Sequence, residues 1–392
     1  MSASDTTAPA TKSRPHLLYL VTEDWYFVAH RLPLARAARD AGYDVTVATR
    51  VGGRRDDIVA EGFRLELLSW QRGSINVFRL VADVASIIRL YRRLQPDLAH
   101  HVSLKPIMLG TAASWFTPRV AVLNALTGRG YIFTAKSGRA RLLARLVSFL
   151  LRILLRRKNS VLLVENEDDR RFAVEAIGID AERTAVNAGS GVDIRHFDVQ
   201  PLPASEPVAI GCAARMVATK GIADLVAATR ILRARHVPHR LLLAGGTDRE
   251  NPDAIPESLL QQWVREDKIE WLGQIADVRE LWRQCHIAAL ASLGGEGVPL
   301  SLVEAAACGR PLVATEVPGS RDIARIGVNA FLAPPGDPHE LADALERLIR
   351  DPALRERFGA ESRRIAEGEF ASDRVFAATL SLYDRLLHRP PS

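Results

Sequence analysis

The sequence predicts an α/β protein made of two doubly wound domains facing across a cleft. Three observations carry this. Short apolar runs rich in β-branched residues alternate with amphipathic segments through the first half of the chain. The alternation stops at residues 198–207, "DVQPLPASEP", where three prolines sit among small polar residues as in an interdomain linker. It then restarts and ends in a helical tail. Repeated strand–helix units build a parallel sheet with helices on both faces, so each half is expected to be Rossmann-like. The expected division is a disordered tail at 1–14, an N-terminal domain at 15–200 and a C-terminal domain at 201–370. The last segment, 371–392, is expected to be a helix crossing back to the N-terminal domain.

In chain order, "HLLYLV" reads as the first buried strand. "HRLPLARAARDAG" reads as a helix stopped by Gly42, and "YDVTVAT" as the next strand. "VFRLVADVASIIRLYRRLQP" is a periodic helix broken at Gln95-Pro96, followed by the strand "DLAHHV". "RVAVLNAL" and "SVLLVEN" are two further strands. After the linker, "VAIGCAA", "HRLLLAGG", "KIEWLG", "HIAALAS" and "RPLVATE" read as strands, each followed by a turn or helix. The tail from His339 onward is helical, with breaks at Asp351-Pro352 and near Gly368.

Composition narrows the function. The chain has 392 residues, 47% hydrophobic and 25% charged, enough for two cores. A net charge of +6 without interleaved aromatic and basic residues does not describe a nucleic-acid reader. Cys212, Cys285 and Cys308 lie far apart in apolar segments and show no metal-ligand spacing, so buried free thiols and no metal site are expected. The N-terminal "MSASDTTAPATKSRP" has no apolar core, and no apolar run reaches the roughly 18 residues of a spanning helix. A cytoplasmic protein is expected. No G-x-G-x-x-G follows the first strand and no G-x-x-x-x-G-K-[ST] is present.

Two places carry chemistry. In "GCAARMVATKGIADLVAA", Arg215 and Lys220 lie in the loop between a strand end and a helix. Two cations there beside a helix N-terminus form an anion site. Asp224, four residues after Lys220, offers a competing structural ion pair. In "ASLGGEGVPLSLVEAAACGRP", Glu296 lies in a loop and Glu304 about a turn and a half into the helix that Pro299 opens. The glycines allow close approach to a ligand, and free N–H groups at Gly297, Val298 and Leu300 can meet phosphate or sugar oxygens. A carboxylate can accept from two vicinal ribose hydroxyls, which suits Glu304, while Glu296 suits the donor sugar. A carboxylate inside "SLVEAAAC" needs a polar partner.

These residues resemble a known family. "EGVPLSLVE" followed by "AAACGRPLVATEVPGSRD" is similar to the E-x7-E signature of retaining GT-B glycosyltransferases of family 4. Arg215 and Lys220 resemble that family's diphosphate clamp, and "AGSGVDIRHF" its interdomain "xGVDxxxF". The N-terminal "LNALTGRGYIFT" and "LLVENEDDRRF" resemble a bacterial subgroup acting on undecaprenyl-diphosphate-linked sugars, though "VENEDD" stands where that subgroup usually has "FQNPDD". His100-His101-Val102 stands where many members carry H-x-H or H-E-P. The resemblance implies a GT-B fold and retaining, metal-independent transfer of a hexose or N-acetylhexosamine. The donor would be a nucleotide sugar, UDP-linked, and the acceptor a polyprenyl-diphosphate-linked saccharide in surface-glycan assembly. Arg215, Lys220 and Glu296 would be catalytic. Gly297, Val298, Pro299, Leu300 and Glu304 would complete the donor site, and His30, Lys105, Thr127 and Gly128 would face the acceptor. No cofactor beyond the co-substrate is implied. Two rivals remain at this stage: a GT-B nucleotide-sugar epimerase, and a non-catalytic nucleotide-sugar-binding protein.

The stretch 139–158 needs its own account. On a helix, Arg141, Arg145, Ser148, Arg152 and Arg156 fall on one stripe, and nearly everything else is apolar. Such a segment suits a helix lying in a membrane interface, or one packed on the sheet with an arginine outer face. The first option places the protein at the inner face of the cytoplasmic membrane.

Overall fold

The computed structural model describes residues 14–70, 76–130, 133, 138–248 and 250–388. Apart from Arg14, the expected tail at 1–14 lies outside them. Two sheets form the framework. The first contains β1 (His16–Glu23), β2 (Asp44–Arg50), β3 (Arg64–Leu67), β4 (Leu98–Val102), β5 (Ala121–Leu126), β6 (Ser160–Val164) and β7 (Thr184–Val186) in the order β3-β2-β1-β4-β5-β6-β7. The second contains β8 (Val208–Ala213), β9 (His239–Ala244), β10 (Glu270–Trp271), β11 (Ile287–Leu290), β12 (Leu312–Thr315) and β13 (Ala330–Ala333) in the order β10-β9-β8-β11-β12-β13. β1 pairs in parallel with β2 and β4, and β8 with β9 and β11. The expected α/β class with two Rossmann-like sheets is therefore present. In each sheet the strand order reverses beside the first strand, at β1/β4 and at β8/β11. Ligands of such sheets bind beyond the carboxyl ends of strands at these reversals.

The central strands are buried on both faces, which is why they read as continuous apolar runs. β3, β7 and β13 were not anticipated. β3 and β7 are edge strands of four and three residues and only partly buried, so neither shows a readable period. β4 buries two histidines. His101 Nε2 lies 2.6 Å from the Tyr91 hydroxyl, and His100 Nδ1 lies 2.6 Å from the Tyr383 hydroxyl. Tyr383 also meets Tyr19 at 3.0 Å, and Tyr43 donates to Asp384 at 2.8 Å. These bonds fasten the end of the C-terminal helix to the first sheet. Burial drives the Tyr19 and Tyr383 hydroxyls far above their ordinary range, so they stay neutral.

By contacts, the described residues up to Leu123, with those from Tyr383 onward, form one compact unit, and those from Asn124 to Leu382 the other. The C-terminal helices run Pro338–Arg350, Pro352–Glu369 and Ser372–Leu387, with breaks where the sequence placed them. Asp337 accepts from the His339 and Glu340 N–H groups, and Asp351 from that of Leu354. Each cap of this kind stabilises by about 1 kcal/mol. Cys212, Cys285 and Cys308 are buried and free, and burial pushes their thiols up to about 12, 12 and 11.

Candidate active site

The β8 and β11 strands are neighbours, so the loops leaving their carboxyl ends are neighbours too. Backbone contacts lock those loops together. Leu293 N–H donates to the Thr219 carbonyl at 2.9 Å. Gly221 adopts φ +64°, and a Cβ there would lie 1.8 Å from the Ala291 oxygen, so only glycine fits. A 3-10 turn at Ala218–Lys220 then aims Lys220 at the second loop. Its Nζ lies 2.6 and 2.8 Å from the two carboxylate oxygens of Glu296. The Ser292 hydroxyl donates to the same carboxylate at 2.6 Å. Lys220 thus pairs with Glu296, not with Asp224. Arg215 lies in the same β8 loop and pairs with Asp248 at 2.7 Å.

The two glutamates differ electrically. Burial pushes the Glu296 carboxyl upward, but Lys220, Ser292 and Arg215 outweigh it, and the group titrates below its ordinary range. Glu304 sits on helix Leu300–Ala307, which Pro299 caps. Its carboxyl has no hydrogen-bond partner among the described residues. Burial, with Asp277 adding negative charge, pushes the carboxyl up to about 8, so the isolated chain holds it protonated at neutral pH.

The loop between these glutamates is gripped from several sides. Gly319 adopts φ +79°, and a Cβ there would lie 1.5 Å from the Gly297 oxygen. Gly128 adopts φ +97°, and a Cβ there would lie 2.5 Å from both the Gly295 oxygen and the Gly297 nitrogen. Thr127 and Gly128, at the carboxyl end of β5, are thereby set beside the loop of Glu296. The Val298 N–H, expected to be free, donates to the Glu165 carboxylate at 2.9 Å. Those of Gly297 and Leu300 have no partner among the described residues. Glu165, at the end of β6, was not singled out as a site residue. Its signal was the departure "VENEDD". Beside it, Asp169 pairs with Arg129 at 2.7 Å, and Asp168 with Arg321 at 2.7 Å.

His30 and Lys105 lie in the first compact unit. His30 ends a seven-residue helix, Asp24–His30, and the helix that the sequence opens at His30 begins at Leu32. The turn forms there because the buried Asp24 carboxylate accepts from the Gly52, Gly53 and Arg54 N–H groups. The His30 ring packs on Tyr26 with centroids 4.4 Å apart. Lys105 follows β4, with its Nζ 3.8 Å from Asp83 and 5.8 Å above the Trp70 ring. Burial lowers its pKa.

Both halves of the chain match family models. Residues 207–351 match glycosyl transferases group 1, and residues 16–165 match glycosyl transferase 4-like. The chain thus carries a glycosyl transferase 4-like domain and a glycosyl transferases group 1 domain. This glycosyltransferase chain is 22% identical over 323 residues to the capsular polysaccharide biosynthesis glycosyltransferase CapM of Staphylococcus aureus, covering 80% of this chain and 83% of that one. It is 21% identical over 369 residues to the N,N'-diacetylbacillosaminyl-diphospho-undecaprenol alpha-1,3-N-acetylgalactosaminyltransferase of Campylobacter jejuni, covering 91% and 95%. Among solved structures, Anabaena HepE in complex with UDP and glucose superposes with a TM-score of 0.76 at 20% identity, covering 95% and 99%. A glycosyltransferase from Rickettsia africae superposes with a TM-score of 0.76 at 16% identity, covering 96% and 100%. The glycosyltransferase has the GT-B fold of these structures.

Proposed function

We propose that the protein moves a hexose or N-acetylhexosamine from a UDP-sugar to a polyprenyl-diphosphate-linked saccharide, with retention, during surface polysaccharide or glycan assembly. The observation that carries this is the Lys220–Glu296 pair at the β8/β11 reversal, with Arg215 in the same loop and Glu304 one helix turn beyond. The names of the Staphylococcus and Campylobacter relatives support the pathway and the lipid-linked acceptor, and the HepE complex supports UDP.

In this reading the anomeric C–O bond breaks and its electron pair passes to the UDP oxygen. Lys220 and Arg215 stabilise the charge developing there, as oxyanion donors do, and no metal is required. The acceptor hydroxyl attacks the same face of the sugar and gives its proton to the departing phosphate. Glu296, fixed by Lys220 and Ser292, accepts from the donor sugar's hydroxyls. Glu304 holds the ribose hydroxyls. Thr127 and Gly128 face the acceptor.

A location at the inner membrane face belongs to the same proposal. Among the described residues no helix is long and apolar enough to cross a membrane. Helix Gly138–Leu154 buries Val147 and Leu151 and exposes Leu142, Leu146, Phe149 and Ile153, with Phe149 60% exposed. An exposed apolar row beside a row of arginines fits a lipid interface. The test is UDP release from a panel of UDP-, GDP- and ADP-sugars with a polyprenyl-diphosphate-sugar acceptor. Acceptor-dependent release from one UDP-sugar, lost in Lys220→Ala, supports the reading. Tight UDP-sugar binding without release would favour a binding protein.

A further inference from the structure

An open cavity of about 510 Å³ lies at the C-terminal end of helix Gly138–Leu154. Arg152, Arg156 and Arg183 line it, with Asp180 as the one carboxylate. Arg183 is held in place: its Nη1 donates to the Arg156 carbonyl at 2.8 Å, and its Nε lies 3.7 Å from Asp180. The guanidinium groups of Arg152 and Arg156 have no hydrogen-bond or ion-pair partner among the described residues. Arg152 lies along Gly178, where a Cβ would sit 3.2 Å from Nε. Gly178, at φ +81°, ends the π-helical stretch Phe172–Ile177, which supplies Val174 to the cavity wall. Such irregular turns concentrate at functional sites.

Arginines near a helix C-terminus are favoured by its dipole, which accounts for Arg152 alone. It does not account for a cavity with a third arginine fixed in the opposite wall. The exposed row of Leu142, Leu146, Phe149 and Ile153 runs along the same helix up to this cavity. If that row meets lipid, phosphate headgroups come level with the arginines. Guanidinium groups bind phosphate oxygens in pairs.

We propose that this cavity is a phosphate-binding site that takes the headgroup of an anionic phospholipid, with Arg152 and Arg156 as its ligands and Arg183 as the positioning residue. The proposal rests on the membrane-surface part of the reading above. The test is co-sedimentation of the full chain with phosphatidylcholine vesicles, with and without phosphatidylglycerol. Two variants of equal charge are compared, Arg152→Gln/Arg156→Gln at the cavity and Arg141→Gln/Arg145→Gln upstream on the same helix. At about 0.5 M salt, where exposed charges no longer reach one another, wild type and the upstream pair should keep their preference for phosphatidylglycerol. The cavity pair should lose it by about tenfold or more. Equal loss in both pairs would overturn the site. Cavity-dependent binding of free inorganic phosphate, with vesicle preference unchanged in the cavity pair, would overturn the headgroup assignment. Circular dichroism and melting show whether each variant folds. Intact vesicle preference without sugar transfer would sink the enzyme reading and leave this site standing. Failed preference with intact transfer would do the reverse.

Discussion

Lys220 and Glu296, 76 residues apart in sequence, meet at 2.6 and 2.8 Å and form one charged unit at the carboxyl ends of β8 and β11. One partner is assigned to the diphosphate and the other to the sugar, so the pair fixes the two ends of the scissile bond relative to each other. Lys220→Ala should slow transfer by at least ~10²-fold, the scale of losing one oxyanion donor. Glu296→Gln keeps the shape but loses the pairing charge, and it should lower turnover without abolishing UDP binding. Full turnover in Lys220→Ala, measured by acceptor-dependent UDP release, would remove the clamp assignment.

Glu304 should give the protein a pH signature. Its carboxyl titrates at about 8 in the folded chain, against an ordinary value of 4.5. Between those values the folded chain holds a proton that the unfolded chain has released, so stability falls as pH rises through that window. Glu304→Gln should flatten that slope in urea melts recorded from about pH 5 to about pH 9. Ribose hydroxyls need the ionised carboxylate as acceptor, so the donor KM should fall as pH rises toward about 8. Glu304→Ala should raise the KM and lose that dependence, and an unchanged KM would remove the ribose role.

Gly128 tests the grip on the donor loop. Gly128→Ala would put a methyl group against the backbone of Gly295 and Gly297 at φ +97°. It should cost about 1–3 kcal/mol of stability and raise the donor KM. Gly130→Ala carries the strain of φ +64° in open space, and should cost only about 1–2 kcal/mol with the KM kept. Equal KM values in the two variants would show that the contact does not reach the donor.

The Glu165 carboxylate occupies the Val298 N–H, where a phosphate oxygen of the donor would otherwise be welcome. Glu165→Gln retains an acceptor and removes the charge. It should lower the donor KM several-fold at low salt, on the scale of about 1 kcal/mol for a charge some 4 Å away in water. A raised KM would instead mark the carboxylate as a contributor to donor binding.

The exposed apolar row should govern attachment to neutral as well as anionic vesicles. Leu146→Ser with Phe149→Ser removes two side chains exposed by 53% and 60%. Vesicle binding should fall by about tenfold or more, because each large apolar side chain contributes about 1.5–3 kcal/mol on full burial. Transfer to a detergent-solubilised acceptor should change less than vesicle binding does. Unchanged vesicle binding would mean that this face does not meet lipid.

What the sequence determined by itself was local. Continuous apolar runs specified the strands other than β3, β7 and β13, since such runs are properties of a few adjacent residues. The Pro299 start of a helix, and the placement of Glu296 before it and Glu304 within it, were legible for the same reason. So was the break of the C-terminal helices at Asp351-Pro352, while the second break falls just past Gly368, at Phe370-Ala371. The tertiary structure decided the partners. Only the neighbouring of β8 and β11 turns Lys220 toward Glu296 and away from Asp224. Only the approach of the β6 end puts Glu165 on the Val298 N–H, and only packing leaves Glu304 without a partner among the described residues and with a raised pKa. The arginine stripe was written in the sequence, but that its apolar neighbours face outward depended on which side of the helix packs against the Phe172–Ile177 stretch. Contacts between distant loops depend on strand order, and strand order is set by long-range pairing that no local pattern encodes.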